Sequence, residues 1–150
     1  MKWKMKKIRE LLRLIVITLK HLFLTKFYGM NISSTARISF RTKLDKTNPK
    51  GIFIGDESYI ASGAIIFSHD FSRNLKANTH IGSRCFIGAN AIIMVGIRIG
   101  DEVIIGAGSL VTKDVPSNSI AVGNPARVIK SGIHTKRFGK LDINKNHQHA

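Results

Sequence analysis

The sequence predicts an all-β protein, a parallel β-helix preceded by one amphipathic α-helix. Three observations predict it: a six-residue period that begins at Ile32, small residues at fixed places in that period, and a basic, apolar segment before it. A period of six matches neither the 3.6-residue spacing of an amphipathic helix nor the two-residue alternation of an ordinary strand. Short strands joined by tight turns fit it, and stacked coils of such strands form a solenoid with a continuous core.

The opening segment, residues 1–28, predicts a basic amphipathic helix. At helical spacing, one face carries Lys2, Lys6, Arg9, Arg13 and Lys20. Another face carries Ile8, Leu11, Leu12, Ile15, Leu19 and Leu22. Cations interrupt the apolar run and no Ala-x-Ala-like site follows it, so we expect neither a signal peptide nor a membrane span. Two roles stay open: packing of the apolar face on the protein body or a neighbouring subunit, or peripheral contact with anionic lipid.

The repeat occupies residues 29–130, and a basic extension without a period, residues 131–150, follows it. We expect residues 131–150 to be an extension or a partly disordered tail. The fifth position of each hexapeptide is small or β-branched, and the first is aliphatic. Each aliphatic side chain contributes roughly 1.5–3 kcal/mol by leaving water. The residues expected to fill the core are Ile54, Ile60, Ile66, Ile81, Ile87, Ile93, Ile99, Ile105 and Val111.

Length and composition bound the function. A chain of 150 residues is one domain by length, and 24 Lys and Arg against 9 Asp and Glu favour a polyanionic partner. No aromatic-interleaved basic patch or nucleic-acid motif accompanies that charge, so nucleic acid is not the expected partner. The single cysteine, Cys85, excludes an internal disulfide and favours a cytoplasmic location; the repeat places it inward, as a core residue.

The repeat breaks once in a way that predicts a functional loop. Sixes counted from Ile54 continue to Ile66, but the next register begins at Ile81, so a loop of about residues 67–80 leaves the coil. Loops held on a rigid scaffold commonly carry binding and catalytic groups. His69 lies at the root of this loop. A lone histidine is more often structural, so its position alone does not assign a role.

The hexapeptides IGDESY, IASGAI, IGSRCF and IGANAI, together with IGAGSLVTKDVPSNSIAVGNPARVIK, resemble the hexapeptide-repeat acyltransferases, in particular the maltose, galactoside and polysaccharide O-acetyltransferase branch. The resemblance implies a left-handed β-helix with three hexapeptides per triangular coil. It implies an acetyl-CoA-dependent O-acetyltransferase that acts on a sugar hydroxyl, as in a surface polysaccharide or its lipid-linked precursor. It also implies a homotrimer with active sites between subunits, and His69 as general base.

The chemistry agrees with that role, because an alcohol must lose its proton as it attacks a thioester and imidazole exchanges protons near neutrality. Asp70 and Asp45 are equal candidates to orient His69. Adjacent residues on an extended strand point to opposite sides, so Asp70 is better suited to fix the loop. Arg73 and Lys76 in the loop are candidate contacts for an anionic acceptor, although single exposed charges are commonly solvated.

The resemblance also assigns a cofactor end to the β-helix. Gly106, Ala107 and Ala89 match positions that line the pantetheine channel. Thr112 and Lys113 match the turn near the pyrophosphate, and Arg127 and Lys130 match cationic positions near the adenosine 3′-phosphate. Lys and Arg supply charge-assisted hydrogen bonds to such phosphates. The GNPAR turn at Gly123 also has a plain structural use, because its residues are turn formers.

Three alternatives remain. His80 with His69 suggests a metal pair, but a third ligand is missing from the repeat, so no metal is expected. N-acetylation of an amino sugar is the nearest enzymatic alternative. A non-catalytic β-helix that serves as a binding or scaffold protein is the alternative from another class.

Overall fold

The computed structural model describes residues 2–146, with side chains described for residues 3–145. Helix α1 spans Lys2–Leu22 and continues into a π-helical turn over Phe23–Phe27. The strands are β1 Asn31–Ile32, β2 Arg37–Ile38, β3 Lys43–Leu44, β4 Ile52–Ile54, β5 Tyr59–Ile60, β6 Ile65–Ile66, β7 His69–Asp70, β8 Leu75–Lys76, β9 Thr79–Ile81, β10 Phe86–Ile87, β11 Ile92–Ile93, β12 Arg98–Ile99, β13 Ile104–Ile105, β14 Leu110–Val111, β15 Ser119–Gly123, β16 Ala126–Ser131, β17 Thr135–Lys136 and β18 Lys140–Leu141. Single 3-10 turns cover Pro49–Gly51 and Arg137–Gly139, and helix α2 covers Ile143–Asn146.

The strands form the three faces of a prism. The first face is β1, β4, β9 and β12, the second is β2, β5, β10, β13 and β15, and the third is β3, β6, β11 and β14. Neighbouring strands within each face are parallel and stay in register, as in the pairs Ile60 with Ile87 and Ile87 with Ile105. Successive strands of the chain therefore lie on successive faces, and the predicted parallel β-helix is confirmed.

The core lies inside the prism, where the sequence predicted it. All nine predicted aliphatic residues are buried, with Ile60, Ile87, Ile93 and Ile105 fully so. The small fifth-position residues sit beside them, and those that carry a hydroxyl satisfy buried polar groups. The Ser58 hydroxyl, for example, donates to the Gly82 carbonyl at 2.7 Å and accepts the Cys85 N–H at 2.9 Å. One apolar and one small residue per hexapeptide therefore fill the interior without leaving buried polar groups unpaired.

Helix α1 docks on the first coil through an edge that the sequence did not single out. Lys20 Nζ donates to the backbone carbonyls of Ser39, Phe40 and Thr42 at 2.8, 2.7 and 3.0 Å. His21 Nε2 lies 3.0 Å from the Ser33 carbonyl. Lys20 therefore faces the β-helix and is not part of a solvent-facing basic stripe, because three carbonyl acceptors hold its ammonium group.

The apolar face of α1 is largely exposed in the single chain. Its aliphatic side chains are exposed, and they are Ile8, Leu11, Leu12, Ile15, Leu19 and Leu22. Among the residues described, this face is therefore not buried on the chain's own body; packing on a neighbouring subunit and contact with anionic lipid both stay open. No helix within residues 2–146 is long and apolar enough to cross a membrane.

Of the two forms expected for the C-terminal segment, the structure has a folded extension over residues 131–146; residues 147–150 lie outside the described part. β16 folds back antiparallel on β15, and the chain then crosses the second face. Ile133 and Thr135 are buried. The Thr135 hydroxyl donates to the Arg84 carbonyl at 2.7 Å, and its N–H donates to Glu102 at 2.8 Å. These contacts explain why a polar segment without a period is fixed.

Candidate active site

The loop after β6 is a short hairpin at one corner of the prism. β7 and β8 pair antiparallel, with His69 opposite Lys76, and the chain rejoins the first face at Thr79. The Thr79 hydroxyl donates to the Phe67 carbonyl at 2.6 Å and closes the neck of the hairpin. The predicted loop is therefore present, and His69 lies at its base. A closed neck holds that histidine rigidly against the coil.

Asp45 holds His69 from the preceding coil. The imidazole Nδ1 contacts Asp45 Oδ2, and the same oxygen accepts the N–H groups of Ser68 at 3.0 Å and His69 at 2.9 Å. Asp45 Oδ1 accepts the Thr47 N–H at 2.9 Å. The Asp45 side chain is only 3% exposed, whereas that of His69 is 26% exposed. Asp45 therefore fixes both the backbone and the ring of His69.

The protonation of this pair follows from the hydrogen bonds. Burial raises the pKa of Asp45. Hydrogen bonds from the Ser68 N–H, the His69 ring and the N–H groups of Thr47 and His69 outweigh that effect, so the pKa of Asp45 lies below the ordinary value of 3.8. An ionised carboxylate only accepts hydrogen bonds, so Nδ1 of His69 carries the hydrogen. In the neutral ring the lone pair is then on Nε2, which is the nitrogen left to accept a proton.

Asp70 does not orient His69; it fixes the hairpin. Its carboxylate accepts the Ser72 hydroxyl at 2.7 Å and Arg73 Nε at 2.6 Å. The Ser72 hydroxyl and then Arg73 lower the pKa of Asp70 to about 2. Arg73 is thus engaged within the loop, whereas Lys76 is exposed on the strand opposite His69. Of the two equal carboxylate candidates, the geometry brings only Asp45 to the imidazole.

The corner that follows the third face joins the two halves of the predicted site. We call it the loop corner; it consists of Asp45–Lys46, Phe67–Ser68, Met94–Val95 and Thr112–Lys113, which directly follow β3, β6, β11 and β14. Because β6 and β14 are separated only by β11, His69 and Lys113 leave the prism roughly 10 Å apart along its axis. Thr112 and Lys113 are exposed there.

The corner that precedes the third face carries the small residues. We call it the glycine corner; it consists of Gly88–Ala89 and Gly106–Ala107. Its two turns stack closely, since the Gly108 N–H donates to the Ala89 carbonyl at 2.8 Å and a Cβ on Gly88 would lie 2.5 Å from the Ala107 nitrogen. Close stacking requires small residues, and it leaves Ala107 exposed beside the outer surface of the third face.

The remaining cofactor candidates lie on the hairpin that ends the β-helix. Arg127 is opposite Val122, and Lys130 is opposite Ile120. Both are exposed, and Arg127 donates only to the carbonyl of its neighbour Ala126 at 3.0 Å among its described hydrogen bonds. These cations are therefore free to bind an anion, but they are on the second face and not at the loop corner.

Cys85 and His80 have structural roles. Cys85 is fully buried, and its thiol donates to the Gly100 carbonyl at 3.0 Å. Burial raises the pKa of that thiol to about 11, so it does not form a ready nucleophile. His80 stacks on Phe53 with ring centroids 4.4 Å apart, and burial followed by repulsion from Arg98 lowers its pKa. Within the described residues, no three His, Cys, Asp or Glu side chains are grouped to hold a metal.

Sequence reasoning missed Asn48 as a support of the site. Its side-chain amide donates to the Ser68 carbonyl at 2.9 Å, and its own carbonyl accepts the Ser68 hydroxyl at 2.6 Å. Asn48 lies in the LDKTNP insertion with Asp45. The signal that could have found it is the insertion itself, which occurs at the loop corner one coil before the hairpin.

Together these features define a parallel β-helix of the hexapeptide-repeat class with a histidine–carboxylate pair at the root of a loop. The family model described as "hexapeptide repeat of succinyl-transferase" matches residues 78–113. The solved maltose O-acetyltransferase of Clostridium difficile is 28% identical, with a TM-score of 0.56 over 79% of this chain and 85% of that one. The left-handed form of the helix is confirmed, because the structural neighbours of this chain are left-handed β-helix acetyltransferases.

Curated relatives show the same likeness. The galactoside O-acetyltransferase of Escherichia coli is 35% identical over 112 residues, which is 69% of this chain and 55% of that protein. The bifunctional protein GlmU of Wolbachia pipientis is 42% identical over 77 residues, 51% of this chain and 17% of its own length. The chain thus spans about half or less of these relatives. In sequence and fold it resembles the hexapeptide-repeat acetyltransferases, as its repeats indicated.

Proposed function

We propose that the protein is an acyl-CoA-dependent O-acetyltransferase that transfers an acetyl group to a sugar hydroxyl of a surface polysaccharide or its lipid-linked precursor. The observation that carries this proposal is the contact between Asp45 and the His69 ring at the base of the hairpin. A buried carboxylate on Nδ1 leaves Nε2 as the proton acceptor, which is the arrangement a general base needs. The likeness to galactoside and maltose O-acetyltransferases supports the choice of a sugar hydroxyl.

The reaction is a direct transfer. Nε2 of His69 takes the proton of the acceptor hydroxyl as its oxygen attacks the thioester carbonyl, and the tetrahedral intermediate then expels the thiolate, which is protonated by the imidazolium. Backbone N–H groups of the coil are the donors we expect for the oxyanion. Cys85 takes no part, because its thiol is buried in the core.

The candidate cofactor residues at the two corners and on the second face fit acetyl-CoA by their chemistry. Ala89, Gly106 and Ala107 are small residues at the glycine corner, so their own side chains do not obstruct a slender pantetheine chain. Thr112 and Lys113 are exposed at the loop corner. Arg127 and Lys130 are exposed cations on the second face, suited to a phosphate. When bound, the cofactor supplies the activated acetyl group.

A homotrimer accounts for this arrangement. The cations of the second face and His69 at the loop corner are on different parts of one prism, so a neighbouring subunit is the simplest way to bring both to one cofactor. Phe71 at the tip of the hairpin is 94% exposed and is accessible to a neighbouring subunit. In this proposal each active site lies between two subunits.

The composition of helix α1 supports peripheral attachment of the protein to the cytoplasmic face of the membrane. Its exposed aliphatic face is flanked by cations, among them Lys7 and Arg9, which suits anionic lipid. The test is co-sedimentation with anionic vesicles. The double variant Leu11→Glu and Ile15→Glu should abolish co-sedimentation. If the face binds a second copy instead, the double variant should change the oligomeric state and leave co-sedimentation unchanged.

The deciding experiment measures acetyl transfer from acetyl-CoA to a panel of sugars and amino sugars. His69→Ala should lower the rate by about 10²- to 10⁴-fold. His80→Ala is the matched control and should retain activity, because His80 stacks on Phe53. Transfer to amines alone would replace the proposal by N-acetylation. Binding of coenzyme A without transfer by any version would support a scaffold protein.

A further inference from the structure

A cavity of about 520 Å³ lies between helix α1 and the first coil, separate from the predicted cofactor residues. Its volume is in the range of small-molecule sites. Three lysines and four large apolar side chains line it with Thr42. The lining residues are Lys20, Phe23, Leu24, Phe40, Thr42, Lys43, Leu44 and Lys46. We call it the lysine cavity.

The charge in the lysine cavity has no counterpart. None of Lys20, Lys43 and Lys46 forms an ion pair with a carboxylate of residues 3–145. Lys20 gives its three N–H groups to backbone carbonyls, so it adds charge but no spare donor. Lys43 and Lys46 are exposed, and they are the donors available to a ligand.

The lysines also repel each other. Burial, and then repulsion from Lys46, lower the pKa of Lys20 to about 8. An anion placed among them would relieve that repulsion and accept charge-assisted hydrogen bonds. Phosphate groups suit lysine ammonium groups as compact, strongly charged partners.

The apolar wall specifies the rest of the ligand. Phe40 is 67% exposed and Phe23 is 49% exposed at the mouth of the cavity, while Leu24 and Leu44 are buried behind them. Exposed aromatic rings beside cations that have no carboxylate partner suit a molecule that is anionic at one end and apolar at the other. We propose that the lysine cavity binds a phosphate group that carries an apolar chain, as in a lipid phosphate.

The position of the cavity links it to the histidine. Leu44 and Lys46 line it, and Asp45 between them contacts His69. Consecutive Cα atoms are about 3.8 Å apart, so the two sites share one short segment. A lipid phosphate bound here would present a sugar joined to it at the loop corner. That use as an acceptor anchor rests on the proposed function, whereas binding itself does not.

Isothermal titration calorimetry with octyl phosphate tests the proposal, with inorganic phosphate and octyl glucoside as the two half-ligands. Octyl phosphate should bind more tightly than either. The double variant Lys43→Gln and Lys46→Gln should weaken it at least about tenfold. Lys50→Gln, an exposed lysine outside the cavity, is the matched control and should not change it. Phe40→Ser should weaken octyl phosphate but leave inorganic phosphate unchanged.

Three results would overturn the proposal: equal binding by the double variant, equal binding of octyl glucoside, or inorganic phosphate binding as tightly as octyl phosphate. Circular dichroism of each variant checks that it is folded. His69→Ala separates this proposal from the enzymatic one, because it should lose acetyl transfer and keep octyl phosphate binding. Acetyl transfer and octyl phosphate binding are measured separately, so either proposal can fail while the other is still tested.

Discussion

Asp45 and His69 are 24 positions apart in the chain, yet the carboxylate of one binds both the main-chain N–H and the ring nitrogen of the other. The parallel stacking of β3 on β6 brings them together, since Leu44, directly before Asp45, pairs with Ile66, three residues before His69. The base of the hairpin and the ring orientation are thus held by one carboxylate.

Asp45→Asn should lower kcat by at least about tenfold with little change in KM, because the amide holds the ring less well and does not compensate the imidazolium charge. Steady-state kinetics with saturating acetyl-CoA measure this. Asp70→Asn is the control, since Asp70 contacts Ser72 and Arg73 and not the imidazole. An equal loss of kcat in both variants would contradict a positioning role for Asp45.

The stability that Asp45 contributes should depend on pH. Its pKa in the folded protein lies below the unfolded value of 3.8, so the contribution is complete above that value and is lost as the pH falls toward the folded pKa. Urea unfolding of wild type and Asp45→Asn at about pH 6 and about pH 3 measures it. The difference in unfolding free energy should shrink at the lower pH; a constant difference would contradict this account.

Cys85 should be inert in the folded protein. The thiol is fully buried and its pKa is about 11, so iodoacetamide at pH 8 should not label native protein but should label it in denaturant. Cys85→Ala should retain acetyl transfer, with a cost in stability of about 1 kcal/mol. Fast labelling of the native thiol, or loss of activity in a folded Cys85→Ala variant, would contradict a core role.

Substitutions of Arg127 and Lys113 should differ in whether their effect on KM depends on the 3′-phosphate of the cofactor. Arg127→Gln should raise the KM for acetyl-CoA about tenfold and leave that for its 3′-dephospho analogue nearly unchanged. Lys113→Gln should raise both, because it is expected near the pyrophosphate. Equal effects of the two substitutions on both cofactors would remove these separate assignments.

Gly139 should be required for docking of the C-terminal extension. It has a φ of +67°, and a Cβ there would lie 2.6 Å from the Phe86 nitrogen. Gly139→Ala should therefore destabilise the protein by more than the roughly 1 kcal/mol that a positive φ alone costs. Gly132→Ala is the matched control, since its φ is +72° with open space around it. Thermal unfolding of the two variants compares them.

The repeat made most of the fold predictable. A period of six specifies which residues face inward, so Ile60, Ile87 and Ile105 could be placed in the core from spacing alone. The break in that period located the hairpin and His69. Periodicity carries the information here because each coil repeats the geometry of the last.

The contacts that sequence reasoning missed all join segments far apart in the chain. Asp45 could be chosen over Asp70 only once the register between coils was known. The docking of Lys20 on three carbonyls could be recognised only once the position of α1 at the end of the prism was known. The extension lacks any period, so its attachment through Ile133 and Thr135 left no pattern to detect. Such contacts depend on tertiary placement and not on local propensity.

The contacts of Lys20 and His21 with the first coil also affect how copies of the molecule can associate. Backbone groups at the end of a stacked solenoid resemble the edge of a sheet and can recruit another chain. Lys20 occupies the carbonyls of Ser39, Phe40 and Thr42, and α1 lies across that end. At the opposite end β16 pairs back on β15. The first coil is thus protected by α1 against end-to-end growth into filaments, whereas β12, β14 and β16 remain edge strands at the other end.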